Sequence, residues 1–324
     1  MIGSEIKLFK TFLGHTDGIS SIAFSSQGEI LASGSKDTNI KLWDIFTGNE
    51  LATLVNHTDE IVSVAFSPDG KTLASASRTA VKLWGVQSNK VIHTLKEHSS
   101  GISSIAFSPR GEILAFGSNK KTIELWDWTT NSLIQTLVSH SSYGVSSIAF
   151  SPDGNFIVAG CDGGLIKIWD VETGNLVQAL RVSSTRACDT RTREEFDLYL
   201  GHVEWVLGVA FSPNGQFLAS GGADELLIIW KIATGQPVHI LGGHFTSQET
   251  FTAYVTALAF NPNGLILASA SADKTVKLWE VETGEEIVNI PHPDRVTSVV
   301  FSPDGKLIAS GCRDKIIRLW QTFD

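Results

Sequence analysis

Residue types suited to nucleophilic catalysis recur along this chain at near-regular spacing. His15 is followed by Ser33 and Asp37, and the order returns as His202, Ser220 and Asp224, as His244, Ser269 and Asp273, and as His292, Ser310 and Asp314. Serine, histidine and aspartate are the nucleophile, base and orienting group of a hydrolytic triad. A catalytic site needs one such set, and repetition of the set argues instead for a structural role. Only His93 and His239 lie outside the repeating histidines, and both fall in segments expected to be outer strands. No phosphate-cradling Gly-rich loop, zinc-ligand spacing or carboxylate pair stands outside the repeats. Cys161, Cys188 and Cys312 have neither metal-ligand spacing nor the even count of a disulfide framework, so no catalytic residue, metal or cofactor is expected, and a reducing cytoplasm is the expected location.

The unit that positions these residues is marked at both ends. Histidines 15, 57, 98, 140, 202, 244 and 292 open seven copies, and Trp43, Trp84, Trp126, Trp169, Trp230, Trp279 and Trp320 close them at spacings of 41, 42, 43, 61, 49 and 41. One supersecondary unit is being repeated. In the first copy, Ile19 to Phe24, Ile30 to Ser35, Ile40 to Ile45 and Glu50 to Val55 read as four short strands, with Ser25-Ser26-Gln27-Gly28 as the first turn. That turn recurs as Ser67-Pro68-Asp69-Gly70, Ser151-Pro152-Asp153-Gly154 and Ser302-Pro303-Asp304-Gly305, with Pro presetting φ and Gly relieving strain. Six of the nine prolines serve this turn type, so an all-β fold is expected. No Pro/Gly/Ser-rich linker breaks the series, and a single domain over residues 1–324 is the economical reading.

A net charge of −9 disfavours a nucleic-acid binder, which relies on clustered Lys and Arg. The alternating Ile6, Leu8 and Phe12 are strand pattern and not a signal peptide, and no apolar run reaches the ~18 residues of a membrane span.

Copies such as Leu267-Ala268-Ser269-Ala270-Ser271-Ala272-Asp273-Lys274-Thr275-Val276-Lys277-Leu278-Trp279 resemble the WD-repeat (WD40) β-propellers, and the resemblance covers nearly the whole chain. The regular wording is similar to that of bacterial, particularly cyanobacterial, members. The Trp-Asp pair stands at Trp43-Asp44, Trp126-Asp127 and Trp169-Asp170, while Gly85, Lys231, Glu280 and Gln321 replace the aspartate elsewhere. The resemblance implies a seven-bladed propeller of four-stranded antiparallel blades. Only Gln321 to Asp324 follow Trp320, so the segment Ile6 to Phe12 is expected to supply the last blade's outer strand and close the ring.

The resemblance further implies a hydrogen-bonded group of His, Ser, Asp and Trp in each blade. The expected members are His15, Ser33, Asp37 and Trp43; His202, Ser220, Asp224 and Trp230; His244, Ser269, Asp273 and Trp279; and His292, Ser310, Asp314 and Trp320. Blades three and four lose both Ser and Asp, having Phe116 and Ala159, and Lys120 and Gly163, in their places. Blade two keeps Ser75 and loses the Asp through a one-residue deletion near Arg78. Blades two to four are therefore expected to be less rigid, with Asp162 a partial substitute in blade four.

Function is to be sought where copies differ. The residue before each inner strand is Gly18, Glu60, Gly101, Gly144, Trp205, Tyr254 and Arg295, so blades five to seven bring in residue types enriched at binding hot spots. Insertions at 181–197 and 245–253 should flank Trp205 and Tyr254 on the His-loop face. Arg313, Lys315, Lys36, Arg78, Lys120 and Lys121 form a basic arc in the turns of that face, suited to acidic or phosphorylated groups. The expected function is non-catalytic binding of a protein or peptide through Trp205, Tyr254, Arg295 and Arg313, as a monomer within a larger complex. An enzyme using the central channel is the alternative, and nucleic-acid binding a third.

Overall fold

In a computed structural model, residues 6–97, 101–139, 144–181, 184–188, 195–199, 201–245 and 253–322 are described. After β1 (Lys7–Phe12), the first blade comprises β2 (Ile19–Phe24), β3 (Ile30–Ser35), β4 (Ile40–Asp44) and β5 (Glu50–Leu54), paired in that order as one antiparallel sheet. Six further four-stranded sheets follow, and a two-stranded hairpin, Ser184–Cys188 with Glu195–Tyr199, stands between blades four and five. Neighbouring inner strands pack in chain order, and β2 packs on Val296–Phe301 of blade seven, which completes the ring.

Turn chemistry sets the hairpins. Ser67 Oγ–H donates to Asp69 Oδ1 (2.6 Å), Thr72 N–H donates to Ser67 Oγ (3.0 Å), and Gly70 takes φ +70° in the position that needs it. The His-bearing loops and the Asp-bearing turns share the top face, while the Pro-Asp-Gly turns and the Trp-Asp turns share the bottom. On the bottom, Asp44 Oδ1 accepts from both the backbone N–H (2.6 Å) and the hydroxyl (2.9 Å) of Thr47, which fixes the turn that starts the outer strand.

The core lies between blades. Six of the seven inner strands bury their first and fourth residues, as with Ile19 and Ile22, against the sheet behind; in blade six the first, Val255, is buried and the fourth, Leu258, partly so. A bulge at the second residue of the inner strand recurs in all seven blades, at Ser20 in the first. It turns hydroxyls toward the next blade: Ser20 donates to Ile61 O (2.5 Å), Ser103 to Val145 O (2.6 Å), Thr256 to Val296 O (2.7 Å) and Thr297 to Ile19 O (2.8 Å).

Closure follows the expected route. β1 pairs with Ile317–Gln321, from Lys7 opposite Gln321 to Phe12 opposite Ile317. Phe12 is buried in a cluster with Ile19, Trp43, Ile317 and Leu319, so the N-terminal strand seals the seam between blades seven and one.

Candidate functional site

In blades one, five and six the expected four-residue group forms in full. Trp43 Nε1–H donates to Ser33 Oγ (2.9 Å), the Ser33 hydroxyl meets His15 Nε2 (2.7 Å), and His15 Nδ1–H donates to Asp37 Oδ2 (2.8 Å). The corresponding contacts of Trp230, Ser220, His202 and Asp224 are 2.7, 2.8 and 2.9 Å, and those of Trp279, Ser269, His244 and Asp273 are 2.8, 2.7 and 2.8 Å. Burial pushes His15 down from its ordinary pKa against the pull of Asp37. Burial alone would raise the Asp37 carboxyl, but bonds from the N–H groups of Thr16 and Asn39 and from His15 hold it below the usual range. The serine is locked between a tryptophan donor and a buried histidine, so the group is built for packing.

Blade seven departs from the expectation. His292 Nε2 and Trp320 Nε1–H reach Ser310 Oγ (2.8 and 3.1 Å), but Asp314 turns away to Arg318 Nη2 (2.6 Å) and His292 Nδ1–H donates to Ile290 O (3.1 Å). Two residues set blade seven apart from blades one and five. Thr16 and Val203, following their histidines, each donate a backbone N–H to the blade's aspartate (2.9 Å in both), whereas the residue after His292 is Pro293, which has none. Arg318 then offers the aspartate a charged donor. Asp314 is a partner of Arg318 and not of His292.

The remaining blades show what the losses cost. In blade two, Ser75 joins His57 (2.7 Å) and Trp84 (2.8 Å), but His57 Nδ1 is buried without a partner. In blade three, Phe116 stacks on Trp126 with ring centres 6.0 Å apart, and Trp126 Nε1–H donates to Glu124 Oε2 (3.0 Å). In blade four, Asp162 accepts from Ser146 Oγ–H (3.4 Å), and burial raises its carboxyl pKa. His98 and His140 lie outside the described residues.

Burial pushes the Cys161 and Cys312 thiols up to about 11, so neither is poised as a nucleophile. Among the described residues, no three His, Cys, Asp or Glu side chains converge as a metal site, and no helix is long and apolar enough to cross a membrane. His93 and His239 sit on outer strands as expected, with His239 Nε2 2.9 Å from Glu282 O.

Trp205, Tyr254 and Arg295 occupy one equivalent position in three adjacent blades. Their carbonyls accept from the N–H groups of Ala223 (2.8 Å), Ala272 (2.9 Å) and Arg313 (2.9 Å), which places all three at the top-face ends of the inner strands. Trp205 is 55% exposed, Tyr254 and Arg295 are half-buried, and Arg313 is exposed. Two residues missed in the sequence join them: Val203, 52% exposed, and Phe245, 74% exposed, each directly after its blade's histidine. The signal was present, because that position reads Thr16, Thr58, Ser99 and Ser141 in blades one to four and Val203, Phe245 and Pro293 in blades five to seven.

The basic arc is partly neutralised. Glu60 lies between Lys36 (3.8 Å) and Arg78 (3.6 Å). Of the two insertions, 184–188 and 195–199 form the hairpin, while 189–194 and 246–252 lie outside the described residues.

Residues 3–200 match the family described as IFT122 first beta-propeller, and residues 132–319 match the family described as Nucleolar protein 10-like, N-terminal domain. The chain belongs to the WD-repeat β-propeller family. It is similar to the probable E3 ubiquitin ligase complex SCF subunit sconB of Talaromyces marneffei, with 53% identity over 45 residues, 14% of this chain and 6% of that protein. It is also similar to the probable serine/threonine-protein kinase PkwA of Thermomonospora curvata, with 47% identity over 38 residues, 12% of this chain and 5% of that protein. The Periodic tryptophan protein 2 homolog of Schizosaccharomyces pombe is 46% identical over 41 residues, 13% of this chain and 5% of that protein. Each match is about one blade long, so these WD-repeat relatives share the repeat with this chain over a small part of their own length.

Proposed function

We propose that this propeller is a non-catalytic scaffold that binds a protein or peptide segment on its top face over blades five to seven. The observation that carries the reading is the exposure of Val203, Trp205 and Phe245 on the His-loops of two adjacent blades. Repeat copies one to four place Thr, Ser, Gly or Glu at the same positions. A tryptophan and a phenylalanine exposed beside a polar rim suit a desolvated interface core, and Tyr254 borders them. Arg295 and Arg313, joined through their backbone in blade seven, suit acidic or phosphorylated groups at the edge. The similarity to a probable subunit of an SCF ubiquitin ligase complex supports work within an assembly. A cytoplasmic location and a monomeric state within that assembly complete the proposal.

Affinity purification tests it. Intact protein and the Trp205→Ala/Phe245→Ala variant are used as parallel baits, and the proteins retained by each are identified. A partner retained by the first and lost from the second is expected. Identical sets on both baits would contradict the site.

A further inference from the structure

Blade two ends its hydrogen-bond chain on a donor that has nothing to donate to. Trp84 Nε1–H donates to Ser75 Oγ (2.8 Å), and His57 Nε2 lies 2.7 Å from the same oxygen. The Ser75 hydroxyl has no other acceptor among the described residues, so its proton goes to Nε2 and a neutral His57 carries its own on Nδ1. His57 is only 6% exposed and its Nδ1 has no partner. Burial, reinforced by the Lys82 charge, pushes its pKa down to about 4, so the ring is neutral at neutral pH. In blades one, five and six the same ring proton reaches an aspartate. Here the shortened turn Ser77-Arg78-Thr79-Ala80 supplies none. A buried donor left unmet is costly, and native proteins rarely keep one without a reason.

The surroundings favour an anion. Thr58 follows His57 as Thr16 follows His15 and Val203 follows His202, and both of those backbone N–H groups donate to the blade's carboxylate. The Arg78 side chain is 59% exposed at the edge, and Lys82 Nζ is held at the His-loop by Asn56 O (2.9 Å). The neighbouring acids have other work. Asp59 Oδ1 accepts from Glu60 N–H (2.8 Å), the same cap that Asp17 makes on Gly18 and Asp294 on Arg295, and Glu60 lies between Lys36 and Arg78.

We infer that blade two carries a carboxylate-binding notch, in which an acid supplied from outside the chain takes the place that Asp37 fills in blade one, accepting from His57 Nδ1–H and Thr58 N–H. The acid is an Asp or Glu side chain of a bound segment or a small free carboxylate. The notch lies three blades from Trp205 and does not depend on the surface proposed there.

The test follows the ring proton directly. Protein labelled with ¹⁵N-histidine is titrated with sodium acetate, with an acetylated and amidated Gly-Asp-Gly peptide, and with sodium chloride at matched ionic strength. The His57 N–H signal, assigned by its loss in His57→Gln, is expected to shift saturably with both carboxylates and not with chloride. Tighter binding of the peptide would identify a protein segment as the source, and equal binding a free carboxylate. Inserting Asp between Arg78 and Thr79 restores the turn length, and should abolish the response and raise the melting temperature. Arg78→Ala, at the exposed edge, should leave the fold intact and weaken carboxylate binding severalfold. No saturable shift with either carboxylate, or an equal shift with chloride, would overturn the inference. So would an unaltered response in both variants.

Discussion

Each complete group in this propeller runs from a tryptophan N–H through a serine hydroxyl and a histidine to an aspartate, and its members therefore differ in what their loss costs. Asp273→Ala leaves the His244 Nδ1–H only the longer contact to Thr275 Oγ1 (3.2 Å) in place of the carboxylate, and should destabilise by ~1–3 kcal/mol in urea unfolding. A double-mutant cycle sharpens this. Coupling of about 1 kcal/mol or more is expected between His244 and Asp273, and close to none between His292 and Asp314, because Arg318 has taken that aspartate. The histidines also set a pH dependence. His57 and His292 are pushed down to about 4 in the folded protein, below the ordinary histidine value near 6.5. The unfolded chain thus binds more protons between those two values, so stability is whole above pH ~6.5 and declines as pH falls toward ~4, by up to about 3 kcal/mol for each residue. Melting temperature should drop between pH 7 and pH 5, and His57→Gln should flatten that drop; an unchanged slope would refute it. The sequence showed which serines and aspartates travel together. The exception in blade seven was written in Pro293 and Arg318, but only a hydrogen-bond count makes a missing N–H visible.

Strands and turns were legible nearly to the residue, because Pro, Gly and the repeated apolar pairs punctuate every blade; β4 and β5 each end one residue earlier than expected. The hairpin Ser184–Cys188 with Glu195–Tyr199 was not, since its mixed charges suit a solvated loop equally well. Closure by β1 was legible from strand arithmetic, and its packing gives the test. Deleting residues 1–12 removes the partner of Ile317–Gln321 and the buried Phe12, and should lower the melting temperature of the whole protein. An unshifted melt would contradict closure. A second device escaped notice. Ser21, Ser63, Ser104 and Ser147 each accept from a backbone N–H of the following blade, at 3.1 to 3.4 Å, and Ser298 accepts from Ile22 N–H (3.2 Å). Gly208 and Ala257 stand at this position in blades five and six and have no hydroxyl. Ala257→Ser should add the link toward blade seven and stabilise by ~0.5–1.5 kcal/mol, read by denaturant midpoint. No change would show that the serines are incidental.

At the scale of the whole molecule, seven near-copies build a symmetric frame; the losses from the hydrogen-bonded group fall in blades two to four, and the exposed apolar and aromatic departures fall over blades five to seven of the top face. The sequence disclosed Trp205, Tyr254 and Arg295 because they break a pattern of Gly and Glu at a position the repeat fixes. It left Val203 and Phe245 unread because a single Val or Phe is unremarkable until its exposure is known. The basic arc was only half legible, since sequence counts Lys36 and Arg78 as charges while Glu60 lies between them in space. The central claim is that a protein partner sits over blades five to seven. Titration calorimetry of that partner against Trp205→Ala/Tyr254→Ala and against Thr16→Ala/Ser99→Ala, with melting temperatures recorded alongside, tests it most directly. Aromatic anchors of this kind contribute about 2 kcal/mol or more each, so the first variant should bind at least tenfold more weakly at an unchanged melting temperature, while the second binds as the parent does. Unchanged affinity in the first variant, or equal losses in both, would contradict the claim.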